Sequence, residues 1–449
     1  MRANRVLQAL FILLAPLAVF FLYVRATRSS DFIVYYRASR VLVEGHGHLY
    51  GPLSGIGWPQ YFRYTPLFLL VFVPFALLPY KAAVAVWAVL KCAALYLVVR
   101  ALGRRLNFVR NGYWWLIAML LCGGFVVQEL SLGNAQFLIF AMVAASLLWL
   151  DERRRAAVFL LALAASLKIW PLFFVPYLAA RRRAPMALRT LGLICGLTLL
   201  PAAYFGWSGN LHLLREWAAQ EWATGSLQVG MWFPHQSLSG ILQRYLTLTD
   251  YSGWTDRNYV QLHLLHLNPV YIPWIWALLV GTAYVGLLWM AHQTVENAGN
   301  PTQVIVMDSL AFCALPLLEP FAHRIAFVVL LWPAMVAAAL LARKGIPSSW
   351  SKAFIYAAAM IEAIEALTPG ARMQRLYQTV GVDFWATCIL AAGLLKAWFE
   401  WRDAFRSEVI CVEVTLDSRR ELVSKHGVFA AHVGTGEFKQ RGMTQKDDG

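Results

Sequence analysis

The stretch AAVFLLALAASLKIWPLFFVPYLAA, residues 156–180, determines how the chain folds. It is long enough for one membrane span, but Lys168 and Pro171 interrupt its middle. Arginine clusters at 153–155 and 181–183 flank it, and basic loops favour the cytoplasmic side of a membrane. Since proline breaks helices, the stretch predicts two short helices that rise to Lys168 and return to one side. A kinked single span with a snorkelling lysine is the alternative.

The overall composition indicates an all-α integral membrane protein with many spans. Hydrophobic residues make up 59% of the chain and charged residues only 14%. The net charge of +15 lies mainly in short loops, where the positive-inside rule predicts it, so a nucleic-acid partner is not indicated. Five of the six cysteines fall in apolar runs, and His46 and His48 have no third ligand nearby. We therefore expect no disulfide framework, no metal site and no cofactor.

The basic clusters also determine the predicted topology. Residues 66–79 are too short to span and contain three prolines, so they predict an interfacial helix. Residues 25–81 then form a first external loop with two interfacial helices, at about 32–44 and 65–78. The transmembrane domain covers residues 1–399, with a later external loop at 207–268, and residues 400–449 form a cytoplasmic tail.

The topology comprises about twelve transmembrane segments. We expect the first segment to be a retained membrane anchor, since no signal-peptide cleavage pattern follows it. The segments are 6–24, 82–99, 113–128, 134–150, a short pair within 156–180, 187–206, 270–292, 303–318, 325–342, 350–367 and 380–399.

Ionisable residues at the external membrane edge are the candidates for chemistry. The chain has no P-loop, GxSxG, HExxH or CxxC pattern, which excludes the nucleotide, serine and zinc chemistries that need them. A carboxylate near several cations can instead transfer a group away from a phosphate, because the carboxylate accepts the acceptor proton and the cations hold the phosphate charge. The ionisable groups predicted on this side are Asp31, Arg37, Glu44, His46, His48, Arg63, Glu129, Lys168, Glu319, His323 and Arg324.

Six segments, taken in order, resemble glycosyltransferase family 87. They are DFIVYYRASRVLVEGHGHLY (31–50), YFRYTPLFLLVFVPFALLP (61–79), LGNAQ (132–136), LKIWPLFFVPYLAARRR (167–183), HQSLSGILQR (235–244) and LLEPFAHR (317–324). The resemblance covers residues 5 to about 340. It implies a multi-span fold of the GT-C superfamily, which includes polyprenyl-phosphate-mannose-dependent α-mannosyltransferases and arabinofuranosyltransferases.

The resemblance also implies roles for individual residues. The carboxylate of the first external loop, here Asp31, would be the catalytic base, whereas a helix N-cap is the alternative for the same side chain. Glu319 and Glu129 are the rival bases, each with a structural alternative at a helix end. The residues expected to hold the donor phosphate are Lys168, His323, Arg324 and Arg63. The residues expected at the substrate cleft are Tyr35, Tyr36, Arg37, Gln136, His235 and Gln236. Interfacial anchoring is the alternative for Tyr35, Tyr36 and Arg37.

The expected function is inverting transfer of a sugar from a polyprenyl-phosphate donor to a lipid or glycan acceptor. Mannose is the leading candidate for the sugar. The reaction would take place on the outer face of the cytoplasmic membrane, among membrane lipids. A transporter or flippase of a lipid-linked saccharide is the rival from another class, although transporters usually show repeated halves with matching broken helices. A pentosyltransferase such as an arabinofuranosyltransferase, or a sugar-lipid polymerase or ligase, would share the reaction class.

Overall fold

A computed structural model describes residues 30–45, 48–51, 54–106, 113–224, 235–248, 260–262, 264–296, 301–342 and 348–402. The described residues up to Glu400 form one compact unit, and Trp401 and Arg402 are assigned to a second one. The described residues are largely helical, with isolated β-bridges between His48 and Ser54 and between His235 and His323. The predicted first span, residues 6–24, lies outside the described residues.

Many of the helices lie at predicted apolar segments, whereas those at 202–224, 238–246 and 371–380 lie mostly outside them. The helices are α1 (Ser30–Glu44), α2 (Pro66–Ala76), α3 (Tyr80–Arg105), α4 (Tyr113–Leu132), α5 (Gln136–Leu148), α6 (Arg154–Leu167), α7 (Phe174–Ala180), α8 (Ala184–Leu199), α9 (Ala202–Thr224), α10 (Leu238–Leu246), α11 (Ile272–Glu296), α12 (Pro301–Leu318), α13 (Leu331–Leu341), α14 (Ser349–Leu367), α15 (Ala371–Val380) and α16 (Val382–Arg402). Short 3₁₀ segments, Trp170–Phe173 and Arg324–Leu330, precede α7 and α13.

Five of the described helices are long and apolar enough to cross a membrane, or six if the bent pair α8–α9 is one span. The five are Tyr80–Arg105, Trp115–Leu132, Pro269–Thr294, Arg324–Leu341 and Val382–Arg402. The predicted count of about twelve is therefore not confirmed. Several predicted spans are shorter helices: α5 has 13 residues and reaches only about 20 Å at 1.5 Å per residue. Such helices suit the interior of a bundle better than a complete crossing.

The stretch 156–180 forms two helices separated at Lys168, as its sequence predicts. The α-helix ends at Leu167, and Lys168 is extended with φ −147° and ψ 143°. Arg183, after α7, donates to Asp151, before α6, at 2.5 Å and to the Leu150 carbonyl at 3.3 Å. The beginning of α6 and the end of α7 therefore lie at the same end of the bundle. Lys168 lies at the other end of α6, which we call the site end.

Arginines gather at the end opposite to the site end. Burial raises the pKa of Asp151, but Arg183, Arg181 and Arg105 together bring it below the usual aspartate value. Arg105 closes α3, while Arg181 and Arg183 follow α7. The arginines at the end of α3 and after α7 therefore lie at one end, as the positive-inside rule predicts for basic loops. Arg2, Arg5, Arg343 and Lys344, which the same rule also assigns to the cytoplasmic side, lie outside the described residues.

The predicted span 187–206 does not continue straight to its end. Helix α8 stops at Leu199, and α9 leaves it at an angle of 94°. Pro201 interrupts the hydrogen bonding of α8, and the chain is kinked inside α9 at Gly206, whose φ of 72° and ψ of 165° are not helical. Beyond this kink, α9 continues to Thr224, through the first part of the predicted external loop 207–268. Gln220 on α9 donates to the Phe62 carbonyl at 2.7 Å, which fixes α9 against the first loop.

Helices α1 and α2 lie close to the two helices predicted at 32–44 and 65–78, and they pack through aromatic rings. Phe32 on α1 contacts Phe72 on α2 and Trp87 on α3, with ring centroids 5.5 Å and 6.0 Å away. Tyr35 packs edge-on against the same two rings at 5.8 Å and 6.5 Å. Aromatic contacts of this kind add stability beyond the burial of apolar area. They hold the loop, and with it Asp31, in a defined position.

Candidate active site

Asp31 is anchored to the turn between α4 and α5. It lies in the first turn of α1, is partly exposed, and its Oδ2 accepts a hydrogen bond from Asn134 Nδ2 at 2.8 Å. The neighbouring Gly133 has a φ of +68°, and a Cβ there would lie 2.8 Å from Phe32 Cβ. Only glycine allows this close approach of the turn to α1. The Gly-Asn pair in the LGNAQ segment is therefore what positions the carboxylate.

Tyr64 extends this network into the protein. Its hydroxyl lies 3.2 Å from Asn134 Oδ1 and 3.1 Å from the Tyr35 hydroxyl. Asn134 Oδ1 also accepts from the Gln136 backbone N–H at 2.8 Å. The Asn134 amide is thus held on both its oxygen and its nitrogen. Because buried networks with satisfied partners are rigid, the Asp31 carboxylate has a fixed orientation.

Lys168 lies on the other side of the same turn. Its Nζ donates to Gln136 Oε1 at 2.7 Å and lies 5.1 Å from the centre of the Tyr64 ring. Trp170 Nε1 donates to the same oxygen at 3.2 Å. Thr65 Oγ1 donates to the Ser166 carbonyl at 2.6 Å, which fixes the start of α2 against the end of α6. The turn 133–136 therefore connects a carboxylate on one side with an ammonium group on the other.

Burial and neighbouring charges change the pKa values of Lys168 and of Glu319 beside it. Burial lowers the pKa of Lys168, and Glu319 opposes this effect. Burial raises the pKa of Glu319 to about 7, although Lys168 and Arg63 both act to lower it. Arg63 itself is paired with Glu221 on α9 through two hydrogen bonds of 3.1 Å and 3.2 Å. Glu319 therefore changes its charge near neutral pH, next to two cations.

The two histidines of the site are neutral. His235 and His323 pair through an antiparallel β-bridge, and His235 Nε2 lies 3.0 Å from the Pro320 carbonyl oxygen. Burial lowers the pKa of His235 to about 3, with a further contribution from Arg244. Burial, His235, Arg63 and Lys168 lower the pKa of His323 to about 3. Both imidazoles are therefore uncharged near neutral pH.

Other predicted site residues are used for internal contacts. Tyr36 donates to the Leu78 carbonyl at 2.9 Å, and Arg37 donates to the Gly57 carbonyl at 2.5 Å while its guanidinium covers Trp58 at 5.2 Å. Gln236 Nε2 donates to the Gln378 carbonyl at 2.7 Å. Arg324 pairs with Glu365 and lies 3.8 Å from Asp383. These four residues therefore contribute contacts within the protein. The structure brings a different set to one region: Asp31, Gln136, Lys168, Arg63 and His323.

Glu129, a rival base, is enclosed in the bundle. Its side chain is 0% exposed and forms an ion pair of 2.9 Å with Lys91, which is 1% exposed. The other carboxylate oxygen accepts from the Phe137 backbone N–H at 2.9 Å, at the start of α5. These contacts leave the carboxylate no access to a substrate hydroxyl. Its geometry is that of a structural group.

Several contacts at the candidate site could not be predicted from the sequence. Asn134 lies in a quoted segment, but its contact with Asp31 joins residues 103 positions apart. The pairing of Arg63 with Glu221 joins residues 158 positions apart. The Gly-Asn turn signal before an apolar helix was the available clue for the first contact. No local pattern pointed to the second.

Comparison with known proteins identifies the family. The family model described as Glycosyltransferase family 87 matches residues 62–313, more than half of the 449-residue chain. The matched region contains Arg63, Asn134, Gln136 and Lys168, and Asp31 precedes it. No curated protein and no solved structure matches the chain. The resemblance inferred from the sequence is confirmed, and the chain, a glycosyltransferase, belongs to glycosyltransferase family 87.

Proposed function

We propose that this protein transfers a sugar from a polyprenyl-phosphate donor to the hydroxyl group of a lipid or glycan acceptor. Mannose is the leading candidate for the sugar. The observation that carries the proposal is the turn 133–136. Asn134 on this turn holds Asp31, and Gln136 on the same turn holds Lys168. A proton acceptor and a cation are therefore kept in a fixed relation, as group transfer from a phosphate requires.

Asp31 acts as the general base in this proposal. It removes the proton from the acceptor hydroxyl while the hydroxyl oxygen forms a bond to the anomeric carbon of the donor. The bond between that carbon and the phosphate oxygen breaks, and the phosphate leaves with the electron pair. Attack opposite to the leaving group inverts the anomeric centre. The partial exposure of Asp31 gives an acceptor access to it.

Lys168 holds the departing phosphate. Its ammonium group now donates to a neutral amide oxygen, so a phosphate would offer it a stronger, charge-assisted partner. His323 contributes a neutral N–H donor, and Arg63 contributes positive potential that Glu221 partly offsets. Arg324 has no part in this step, because its guanidinium is paired with Glu365. The phosphate needs no proton to leave, which removes the need for a second carboxylic acid.

The decisive experiment is a transfer assay with purified protein. Polyprenyl-phosphate mannose carrying a labelled sugar is incubated with the protein and a lipid extract, and lipids are examined by mass spectrometry for an added hexose. Transfer by the native chain, and its loss in Asp31→Asn, supports the proposal. Movement of the intact donor across proteoliposome membranes without any transfer would instead support the flippase alternative. Donors that carry other sugars on the same polyprenyl phosphate test which sugar the protein transfers.

The site end is expected to face the outside of the cytoplasmic membrane, because the arginine-rich end is expected to be cytoplasmic. A cysteine introduced by Glu44→Cys, in an exposed side chain of the first loop, should react with a membrane-impermeant thiol reagent in intact cells. A cysteine introduced by Glu152→Cys should react only after the cells are opened. A thiol reagent that adds mass shows the labelling of each introduced cysteine as a shift on a gel. The native chain gives the background labelling. The reverse labelling pattern would refute this orientation.

Donor binding should depend on pH through Glu319. Its pKa is raised to about 7, so its negative charge, which competes with the phosphate for Lys168, is lost as the pH falls through this value. A sugar phosphodiester keeps its charge over this range. We therefore expect tighter donor binding at about pH 6 than at about pH 8, measured by titration calorimetry. Glu319→Gln should bind tightly at both pH values.

The matched control for this pH effect is Glu44→Gln, an exposed carboxylate on α1. It should keep the pH dependence of the native chain. An unchanged pH dependence in Glu319→Gln would assign the effect to another group.

A further inference from the structure

Three buried carboxylates lie together in the bundle, apart from the residues proposed for catalysis. Glu362 and Glu365 lie on α14, and Asp383 lies in the first turn of α16. One carboxylate oxygen from each residue lies within 4.8 Å of the other two. Their exposed fractions are only 5%, 5% and 2%. Such a concentration of negative charge away from water is costly unless cations compensate it.

In the described part of the chain, one cation, Arg324, is paired with this cluster. Arg324 pairs with Glu365 and lies 3.8 Å from Asp383. With all three carboxylates ionised, one guanidinium would leave two negative charges. Glu362 Oε1, Glu365 Oε2 and Asp383 Oδ1 are each buried without a hydrogen-bond partner. Buried polar atoms normally have partners, so three orphaned oxygens in one cluster indicate an absent ligand that accepts their lone pairs.

The chemistry of these atoms selects the ligand. Carboxylate oxygens without sulfur or imidazole neighbours favour hard cations such as Ca²⁺, Mg²⁺ and Mn²⁺. Oxygens on opposite sides of a calcium ion lie about 4.8 Å apart, twice a metal–oxygen distance of about 2.4 Å. The spacing of the three oxygens fits this limit. A divalent charge would also neutralise the two charges that Arg324 leaves.

We propose that Glu362, Glu365 and Asp383 bind one divalent cation of this hard class. The ion connects the end of α14 to the beginning of α16, with water completing its coordination. Arg324 keeps its pair with Glu365 through the other carboxylate oxygen. Because Arg324 directly follows His323, the bound ion also steadies the segment that carries this histidine. The site is structural, and its occupancy does not depend on the transfer reaction.

The experiment is a titration of the purified full-length protein with Mn²⁺ after treatment with a chelator. Free Mn²⁺, measured by electron paramagnetic resonance, should show one saturable site per chain that Ca²⁺ or Mg²⁺ displaces. The temperature of unfolding should rise with cation concentration, because the ion binds only the folded state. Glu362→Gln and Asp383→Asn should each weaken binding at least tenfold. The absence of saturable binding to the native chain would overturn the proposal.

The matched control is Asp308→Asn. Asp308 is also a buried carboxylate paired with an arginine, Arg181, at 2.7 Å, but it lies outside the cluster of three. This variant should bind Mn²⁺ as the native chain does. Equal binding by the native chain, Glu362→Gln and Asp383→Asn would mean that the ion lies elsewhere.

A second measurement locates the ion without changing its ligands. A nitroxide attached after Leu367→Cys, at an exposed position two residues beyond Glu365, should relax faster when Mn²⁺ binds. A nitroxide attached after Glu152→Cys, at the opposite end of the bundle, should respond much less. Equal responses from both positions would also overturn the assignment. This readout remains decisive if the charge-removing variants fail to fold.

Discussion

Asp31→Asn is expected to reduce sugar transfer by roughly 10² to 10⁴-fold while the protein still folds and binds its donor. Asparagine has nearly the same size as aspartate and can still accept the hydrogen bond from Asn134 through its own amide oxygen. It cannot accept a proton from the acceptor hydroxyl. Turnover at saturating donor, measured with the transfer assay, should therefore fall much more than donor affinity. Size-exclusion chromatography checks the fold.

The matched control for this change is Glu44→Gln. Glu44 lies on the same helix as Asp31 and its exposed carboxylate pairs with Arg40, so the same chemical change should leave transfer intact. Near-native transfer by Asp31→Asn would remove Asp31 as the base. The next residue to test would be Glu319, because Glu129 is enclosed by its contacts with Lys91 and Phe137.

Lys168→Met is expected to weaken donor binding by about 10- to 150-fold. This corresponds to the roughly 1.5–3 kcal/mol that a charge-assisted hydrogen bond contributes. Methionine keeps an unbranched chain in place of the lysine stem. Gln136 Oε1 keeps its hydrogen bond from Trp170, so the change leaves no orphaned acceptor. Calorimetric titration with a polyprenyl-phosphate sugar measures the loss, and Lys168→Arg should recover part of it.

Lys352→Met serves as the control for charge removal. Lys352 lies in the first turns of α14, near Ser348, whose backbone N–H contacts Glu400. Donor affinity should not change in this variant. If Lys168→Met bound the donor as tightly as the native chain, Lys168 would return to its alternative role as a snorkelling lysine.

The positions of many helices could be predicted because they depend on local patterns. Proline, apolar length and flanking arginines are all readable within about twenty residues, and they predicted the break at Lys168 and the helices of the first loop. The ion pair between Arg183 and Asp151 confirms that both arginine clusters flanking residues 156–180 lie at one end. The count of spans failed to be confirmed because hydropathy does not separate a complete crossing from a shorter buried helix.

The partners of the site residues could not be predicted in the same way. Asp31 and Asn134 meet because a glycine allows a turn to approach α1, and Arg63 meets Glu221 because the chain bends between α8 and the part of α9 beyond Gly206. The three-carboxylate cluster joins two helices through residues that are separated by an intervening helix. Such contacts depend on the tertiary arrangement, which single-sequence patterns do not encode. The alternatives for the site therefore remained open at the sequence level.

The buried pair of Lys91 and Glu129 has a consequence for how the chain enters the membrane during synthesis. A single ionised side chain near the bilayer centre raises the free energy of insertion by about 2.5–3.5 kcal/mol for one helix. Lys91 lies near the middle of α3, and its partner lies on the next helix, α4. Each helix therefore inserts less favourably by itself than together with its partner, although both are apolar enough to span. We expect α3 to remain at the translocation channel until α4 has been synthesised, so that the two helices enter the lipid together as a hairpin.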